Sequence, residues 1–247
     1  MKNKEKGGFF DTLKTISYAV LIALFIRTIA FEPFNIPSGS MIPTLLVGDY
    51  LFVSKFAYGY SKHSLLFSLP IIPGRIFFSE PERGDVAVFK LPSDNSTDYI
   101  KRVIGLPGDK IQIRNGRLFI NEKIIERKRL NDFIIGSIDG KISMIPQYIE
   151  ILPNGKRYKI IETWGDNGPL DNTGVFAVPK GHYFMMGDNR DNSQDSRVIR
   201  EVGFVPVQNL VGRASILFFS TNGQARFWEI WKWPVSIRFE RLFNQIL

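Results

Sequence analysis

An apolar run near the start of the chain, Leu13 to Phe31, limits most strongly how this sequence can fold. A bilayer core about 30 Å thick needs about 20 helical residues to cross it. The run has 19, carries no charge from Thr15 to Ile26, and holds only Lys14 and Arg27 near its ends. Long basic side chains at those positions can reach the headgroups. Lys2, Lys4, Lys6 and Lys14 all sit at the front of the span, so the positive-inside rule keeps the N-terminus cytoplasmic and sends the remainder across. A cleaved export signal is the rival reading, since Thr28-Ile29-Ala30 is a weak small-x-small site after a charge-free stretch. A buried core helix fits less well, because the run has almost no polar face.

Beyond the span, short alternating or β-branched runs lie between turn residues, which predicts a mainly β body. Strands are expected at Tyr50–Lys55, Asp85–Lys90, Tyr99–Ile104, Lys110–Arg114, Arg117–Ile120, Lys156–Thr163, His182–Met186 and Val211–Phe219, with a tight hairpin at Asn115-Gly116. The charge- and turn-rich stretch 112–179 is expected to be an inserted smaller β subdomain. The chain then divides into a tail (1–12), an anchor (13–31), an antiparallel-sheet core (32–111 with 180–247) and the insert. The end of the chain differs again. Phe227, Trp228, Trp231 and Trp233 precede Ile237, Phe239, Leu242, Phe243 and Ile246 at near-helical spacing, with Arg238 and Arg241 among them. That pattern predicts either an amphipathic segment in a lipid interface or a terminal helix packed on its own core.

Two prolines and a glycine set Ser38 and Ser40 in an irregular stretch, Pro37-Ser-Gly-Ser-Met-Ile-Pro-Thr-Leu45, with Ser40 nine residues past the span. By itself such a stretch is as consistent with a linker as with a nucleophile. A nucleophilic serine needs a base, and the composition narrows the choice. The chain has no cysteine and two histidines, which excludes thiolate chemistry and argues against a multi-histidine metal site. His63 sits in a polar loop that reads as exposed, His182 opens a strand, and neither has an evident carboxylate orienter nearby in sequence. A lysine can replace histidine if burial lowers its pKa. Lys101 is the candidate: on a strand, Tyr99, Lys101 and Val103 share one face and Ile100, Arg102 and Ile104 the other. One base must point each way, so one is expected to face inward; a solvated edge-strand pair is the alternative. A third cluster, Gly187 to Arg197, packs Asp, Asn, Arg and Ser into a rigid polar corner. It lacks the glutamate and flanking helices of an EF-hand calcium loop.

Together these stretches resemble the boxes of bacterial type I signal peptidase (leader peptidase), a membrane-bound Ser/Lys endopeptidase. Pro37–Leu45 is similar to its nucleophile box, Arg83–Lys90 and Asp98–Asp109 to the next two, and Gly187–Arg197 to the last, all in the family's order. The resemblance implies that Ser40 is the nucleophile and Lys101 the general base. Ser38 would complete an oxyanion hole with the Ser40 N–H, and Ser193 would orient Lys101. Asp195 and Arg197 would brace that corner as an ion pair. Phe34, Ile36, Pro37 and Ile100 would line shallow pockets for small side chains of exported preproteins, cut at the outer face of the inner membrane. No cofactor or metal is expected, and the chain is expected to be a monomer at the lipid surface.

A non-catalytic envelope scaffold leaves the joint presence of Ser40, Lys101 and Ser193 unexplained. The +8 formal charge prompts a self-cleaving, nucleic-acid-binding Ser/Lys protein. That would need a helix-turn-helix where this chain has its apolar run, so no nucleic-acid partner is expected.

Overall fold

The computed structural model describes residues 8–65, 68–136, 142–225 and 228–246. Lys2, Lys4 and Lys6 of the expected tail, with Phe227 and Leu247, lie outside these. The apolar run forms a helix, Phe9–Ile29, of mean hydropathy 1.7 with no buried residue. It begins four residues before the expected span and ends two before it. Phe31 opens a strand instead, because Pro33 and the β-rich segment around it pair with Asp49–Ser54. The helix base is tied to the body: Tyr60 Oη donates to the Ile29 carbonyl at 2.7 Å, and Glu32 joins Arg27 and Lys55 at 2.9 and 2.8 Å. The helix is long and apolar enough to cross a membrane.

The body is antiparallel β, as expected. A seven-stranded sheet runs in the order Phe31–Asn35, Asp49–Ser54, Leu210–Ser220, Val86–Lys90, Asp98–Gly105, His182–Met186, Val205–Pro206. All of its pairings are antiparallel. Its central strand Val86–Lys90 is buried on both faces, which explains its nearly unbroken apolar character. Val86 and Val88 pack with Ile36, Met41, Leu45 and Leu51, while Ala87 and Phe89 pack with Val103, Tyr183 and Met185. Smaller sheets arise between residues 110 and 177. Lys110–Arg114 and Arg117–Ile120 form the expected hairpin, with Asn115 at φ 46° and Gly116 at φ 68°. Two successive left-handed residues match the twist of the flanking strands. A third cluster, including Ile104, Ile111, Leu118, Ile160 and Phe184, joins these sheets to the large one.

The tail departs from expectation. Among the described residues the tail forms no long helix: it has one α-turn, Trp233–Ser236, and short 3-10 turns at Ile230–Lys232 and Phe239–Arg241. The chain runs instead beside Leu210–Ser220, with bridges from Ile237 to Thr221 and Gln245 to Ile216. The reason is electrostatic. Asp49 is fully buried; Arg241 Nε and Nη2 reach its two oxygens at 3.1 and 2.5 Å, and Arg238 lies 3.6 Å away. A buried carboxylate needs such partners, so these arginines turn inward onto Asp49. Trp228, Trp231 and Trp233 remain exposed. Arg241 also holds the Thr44 carbonyl at 3.0 Å, fastening the turn behind Ser40. Arg241→Ala should cost about 1.5–3 kcal/mol, the range for a hydrogen bond to a charged group, read as a lower midpoint in urea unfolding.

Candidate active site

Ser40 and Lys101 come from segments 61 residues apart, and the fold brings Lys101 Nζ to 2.7 Å from Ser40 Oγ. Both are buried, at 8% and 4% exposure. Strand Asp98–Gly105 pairs with Val86–Lys90 in a register that sets Lys101 opposite Ala87. Its ammonium otherwise meets the Ile100 carbonyl at 3.0 Å and lies 5.3 Å from the Tyr99 ring centre. Among the described residues no carboxylate is in ion-pair contact with it, unlike buried Lys55, which is paired with Glu32. Burial lowers Lys101 from 10.5 to about 8; Asp195 and Asp188 oppose the shift from a distance, and Arg197 adds to it.

The expectation that one of two neighbouring bases faces inward understates the result, since both do. Arg102, 1% exposed, points the other way onto Asp188, with Nε and Nη2 at 2.9 and 2.7 Å from the two carboxylate oxygens. It also donates to the Gly84 carbonyl and Thr44 Oγ1, and its guanidinium lies 4.4 Å from the Tyr158 ring centre. The expected Asp195–Arg197 pair is present and buried, Nε and Nη2 each 2.9 Å from a carboxylate oxygen. Burial opposes ionisation of Asp195, but Arg197 and the Gly187 N–H hold its carboxyl below the usual carboxylate range.

Ser38 Oγ is 3.5 Å from Ser40 Oγ. Ser193 lines the same cavity, yet its buried hydroxyl makes no hydrogen bond of normal geometry, to Lys101 or otherwise. It lies near enough to Asp195 to favour that carboxylate's charge. The cavity, about 860 Å³, is lined by Phe34, Ile36, Pro37 and Ile100, together with Ser38, Ser40, Lys101 and Ser193. Neither histidine lines it. His63 is buried, against its exposed reading, and burial lowers it to about 4. The cause is the turn Lys62–Ser64, capped by Ser61 and folded inward.

Sequence reasoning missed the residues that clamp Ser40 from behind. The Asn189 N–H donates to the Ser40 carbonyl at 3.1 Å, and Asn189 Nδ2 to the Gly39 carbonyl at 3.0 Å. A Cβ on Gly187 would stand 2.2 Å from Ser193 Oγ and 2.5 Å from the Ser40 carbonyl oxygen, so only glycine lets these two segments meet. The rigid polar corner was visible as composition; its partners 144 to 150 residues away were not.

The whole arrangement offers a serine hydroxyl, a lysine with lowered pKa and a neighbouring hydroxyl donor at the floor of an apolar cleft, a set suited to acyl transfer.

Comparison with known proteins agrees. A family model described as signal peptidase, peptidase S26, matches residues 9–219. A signal peptidase I of Rickettsia typhi is 43% identical over 250 residues, covering 94% of this chain and 92% of the relative. One of Rickettsia conorii is 43% identical over 261 residues, covering 98% and 93%. A crystal structure of a signal peptidase I from Enterococcus faecalis V583 aligns at 27% identity over 56% of this chain and 98% of that one, with a TM-score of 0.32, too loose a superposition to carry structural inference. The chain belongs to the signal peptidase family, peptidase S26.

Proposed function

We propose that the chain is a membrane-anchored serine endopeptidase that removes signal peptides from exported preproteins, with Ser40 as nucleophile and neutral Lys101 as general base. The observation that carries the proposal is the 2.7 Å approach of the two groups at a site where burial holds the lysine near 8. The unprotonated amine accepts the Ser40 proton as Oγ bonds to the substrate carbonyl carbon. Negative charge on the carbonyl oxygen is met by the Ser38 hydroxyl and the Ser40 N–H. The intermediate collapses as the protonated Lys101 gives its proton to the departing amine, leaving an ester on Ser40. Water, deprotonated by Lys101, then hydrolyses that ester and restores both groups. Ser193 is assigned to orient the lysine, by rotating its now unbonded hydroxyl towards Nζ when substrate excludes water. Asp195 and Arg197 are assigned to hold that corner in place.

Substrate specificity follows in the proposal from Phe34, Ile36, Pro37 and Ile100, whose apolar walls suit small side chains at the first and third positions before the cut. Phe31–Asn35 is an edge strand of the large sheet, which favours an extended substrate added along it. The helix Phe9–Ile29 is assigned as a single-pass anchor in the inner membrane, with the lysine-rich N-terminus in the cytoplasm and the β body outside. Working as a monomer, the enzyme shares a membrane surface with its tethered substrate, which raises their effective concentration. The core domain is assigned to 32–111 with 180–247, and the insert to 112–179.

The purified chain in detergent, incubated with a preprotein, should release a mature product whose new N-terminus follows a small-x-small motif. Ser40→Ala and Lys101→Ala should abolish cleavage with circular dichroism unchanged, and Ser38→Ala should lose about 2.7–4 kcal/mol of transition-state stabilisation, or roughly 10²–10³ in kcat. Normal cleavage by Ser40→Ala or Lys101→Ala would sink the assignment.

Because the neutral amine is required, kcat/KM should climb about tenfold between pH 7 and pH 9 and level off above the Lys101 pKa. The same depressed pKa makes the buried ammonium a burden on the fold below about 8, relieved as pH rises towards 10.5. Lys101→Met should therefore raise the urea midpoint at pH 7 and lose that advantage as the pH climbs through this window.

A further inference from the structure

Outside the catalytic dyad, three carboxylates converge where the smaller sheets meet the Ser193 loop. Glu162 follows strand Arg157–Ile161, Asp171 closes the turn that begins near Gly165, and Asp191 stands in the turn Arg190–Asn192, two residues before Ser193. One oxygen from each lies within 4.8 Å of the others. Glu162 and Asp171 are 1% exposed.

Two observations single this cluster out from ordinary acidic neighbours. First, both oxygens of buried Glu162 lack any hydrogen bond. The nearby guanidinium groups spend their hydrogen bonds elsewhere: Arg127 holds both oxygens of Asp166 and the Gly116 carbonyl, and its ion pair with Glu162 is a loose one at 3.7 Å, while the Arg190 Nε is itself buried without a hydrogen bond. Arg190 is bidentate on Glu150. A desolvated carboxylate without a hydrogen bond is an unstable arrangement unless a partner completes it. Second, the space beside the carboxylates exists because residue 168 has no side chain. A Cβ there would sit 2.2 Å from Asp191 Oδ1 and 3.1 Å from Asp171 Oδ2, whereas its φ of −68° suits any residue. The glycine is needed for room.

We propose that Glu162, Asp171 and Asp191 form a binding site for one calcium ion that fastens the insert to the loop carrying Ser193. The donor set is all oxygen, as a hard cation requires, and three converging carboxylates favour calcium over magnesium, which keeps its waters. Two ligands on opposite sides of calcium can stand up to about 5.2 Å apart, so the spacing of the cluster is compatible with one shared ion. Backbone bonds already aim two of the three ligands: the Trp164 N–H holds Asp191 Oδ2 at 2.7 Å, and the Gly168 N–H holds Asp171 Oδ2 at 2.5 Å. The partly exposed Asp191 leaves a way in for the ion and its remaining waters. The site runs against the sequence expectation of a metal-free chain, because its three ligands are scattered over 30 residues with no motif spacing. The ion acts on structure: Leu170 and Asp191 both line the catalytic cavity, so one bound ion sets the spacing of its wall.

The test uses the full chain in detergent, stripped with a chelator and titrated separately with calcium chloride and magnesium chloride in a calorimeter. One calcium per chain should bind. The unfolding midpoint should rise by about 5–10 °C at a calcium level about 100-fold above Kd. Glu162→Gln and Asp191→Asn should each weaken binding at least about tenfold, a loss of about 1.4 kcal/mol. Glu162→Gln, freed of its unbonded charge, should match or exceed the chelated parent in stability, which separates lost binding from lost folding. Absence of both binding heat and midpoint shift up to about 10 mM calcium, above the weakest biological calcium sites, would overturn the proposal. Equal binding of magnesium would overturn the assignment to calcium.

Discussion

The buried pair of Arg102 and Asp188 is the joint from which the site hangs. Arg102 sits on the strand that presents Lys101, and Asp188 begins the loop that ends with Ser193, Asp195 and Arg197. Thr44 joins both, donating to Asp188 Oδ2 and accepting from Arg102, which brings the turn after Ser40 into the same knot. Pairing two fully desolvated charges gains little net stability, because the Coulomb attraction mainly offsets desolvation. What it does secure is geometry: a separated partner would be left as an unpaired buried charge. Three chain segments are therefore held in one register, and Asn189, next to Asp188, is positioned to grip the carbonyls of Gly39 and Ser40.

On the opposite face of the same strand the logic reverses. Lys101 is buried as deeply as Lys55, yet Lys55 has Glu32 at 2.8 Å and Lys101 has a serine hydroxyl. With its pKa near 8, about one Lys101 in eleven is neutral at pH 7, against roughly one in three thousand for an ordinary lysine. The ion pairs around it keep Asp188 and Asp195 occupied with arginines, so neither carboxylate approaches the amine closely enough to restore its charge. Structural ion pairs and an isolated lysine are thus two parts of one electrostatic arrangement.

Much of this was legible in the residue order. Lys110–Arg114, Arg117–Ile120 and His182–Met186 form with the expected bounds, because alternation and turn chemistry act over a few residues. Ser38, Ser40, Lys101, Ser193 and the four apolar residues all meet at one cavity. The failures share a cause. Apolar spacing in Ile237 to Ile246 suggests a helix, but Asp49, 192 positions from Arg241, draws the arginines inward and lays the tail along a strand. His63 reads as exposed from its polar neighbours and is buried by the way its turn folds.

What the sequence determined by itself was the local grammar: an apolar helix of membrane length, a chain of short strands and turns, and the few side chains capable of acyl chemistry once cysteine was absent and histidine scarce. What only the tertiary structure decided was which charges meet. Arg102 could have been the inward base and Lys101 the surface one, since periodicity separates their faces without ranking them. The fold buried both, gave one a carboxylate and withheld it from the other. Partners 61 and 86 residues apart decide that difference, and desolvation energies depend on three-dimensional surroundings that no local pattern encodes.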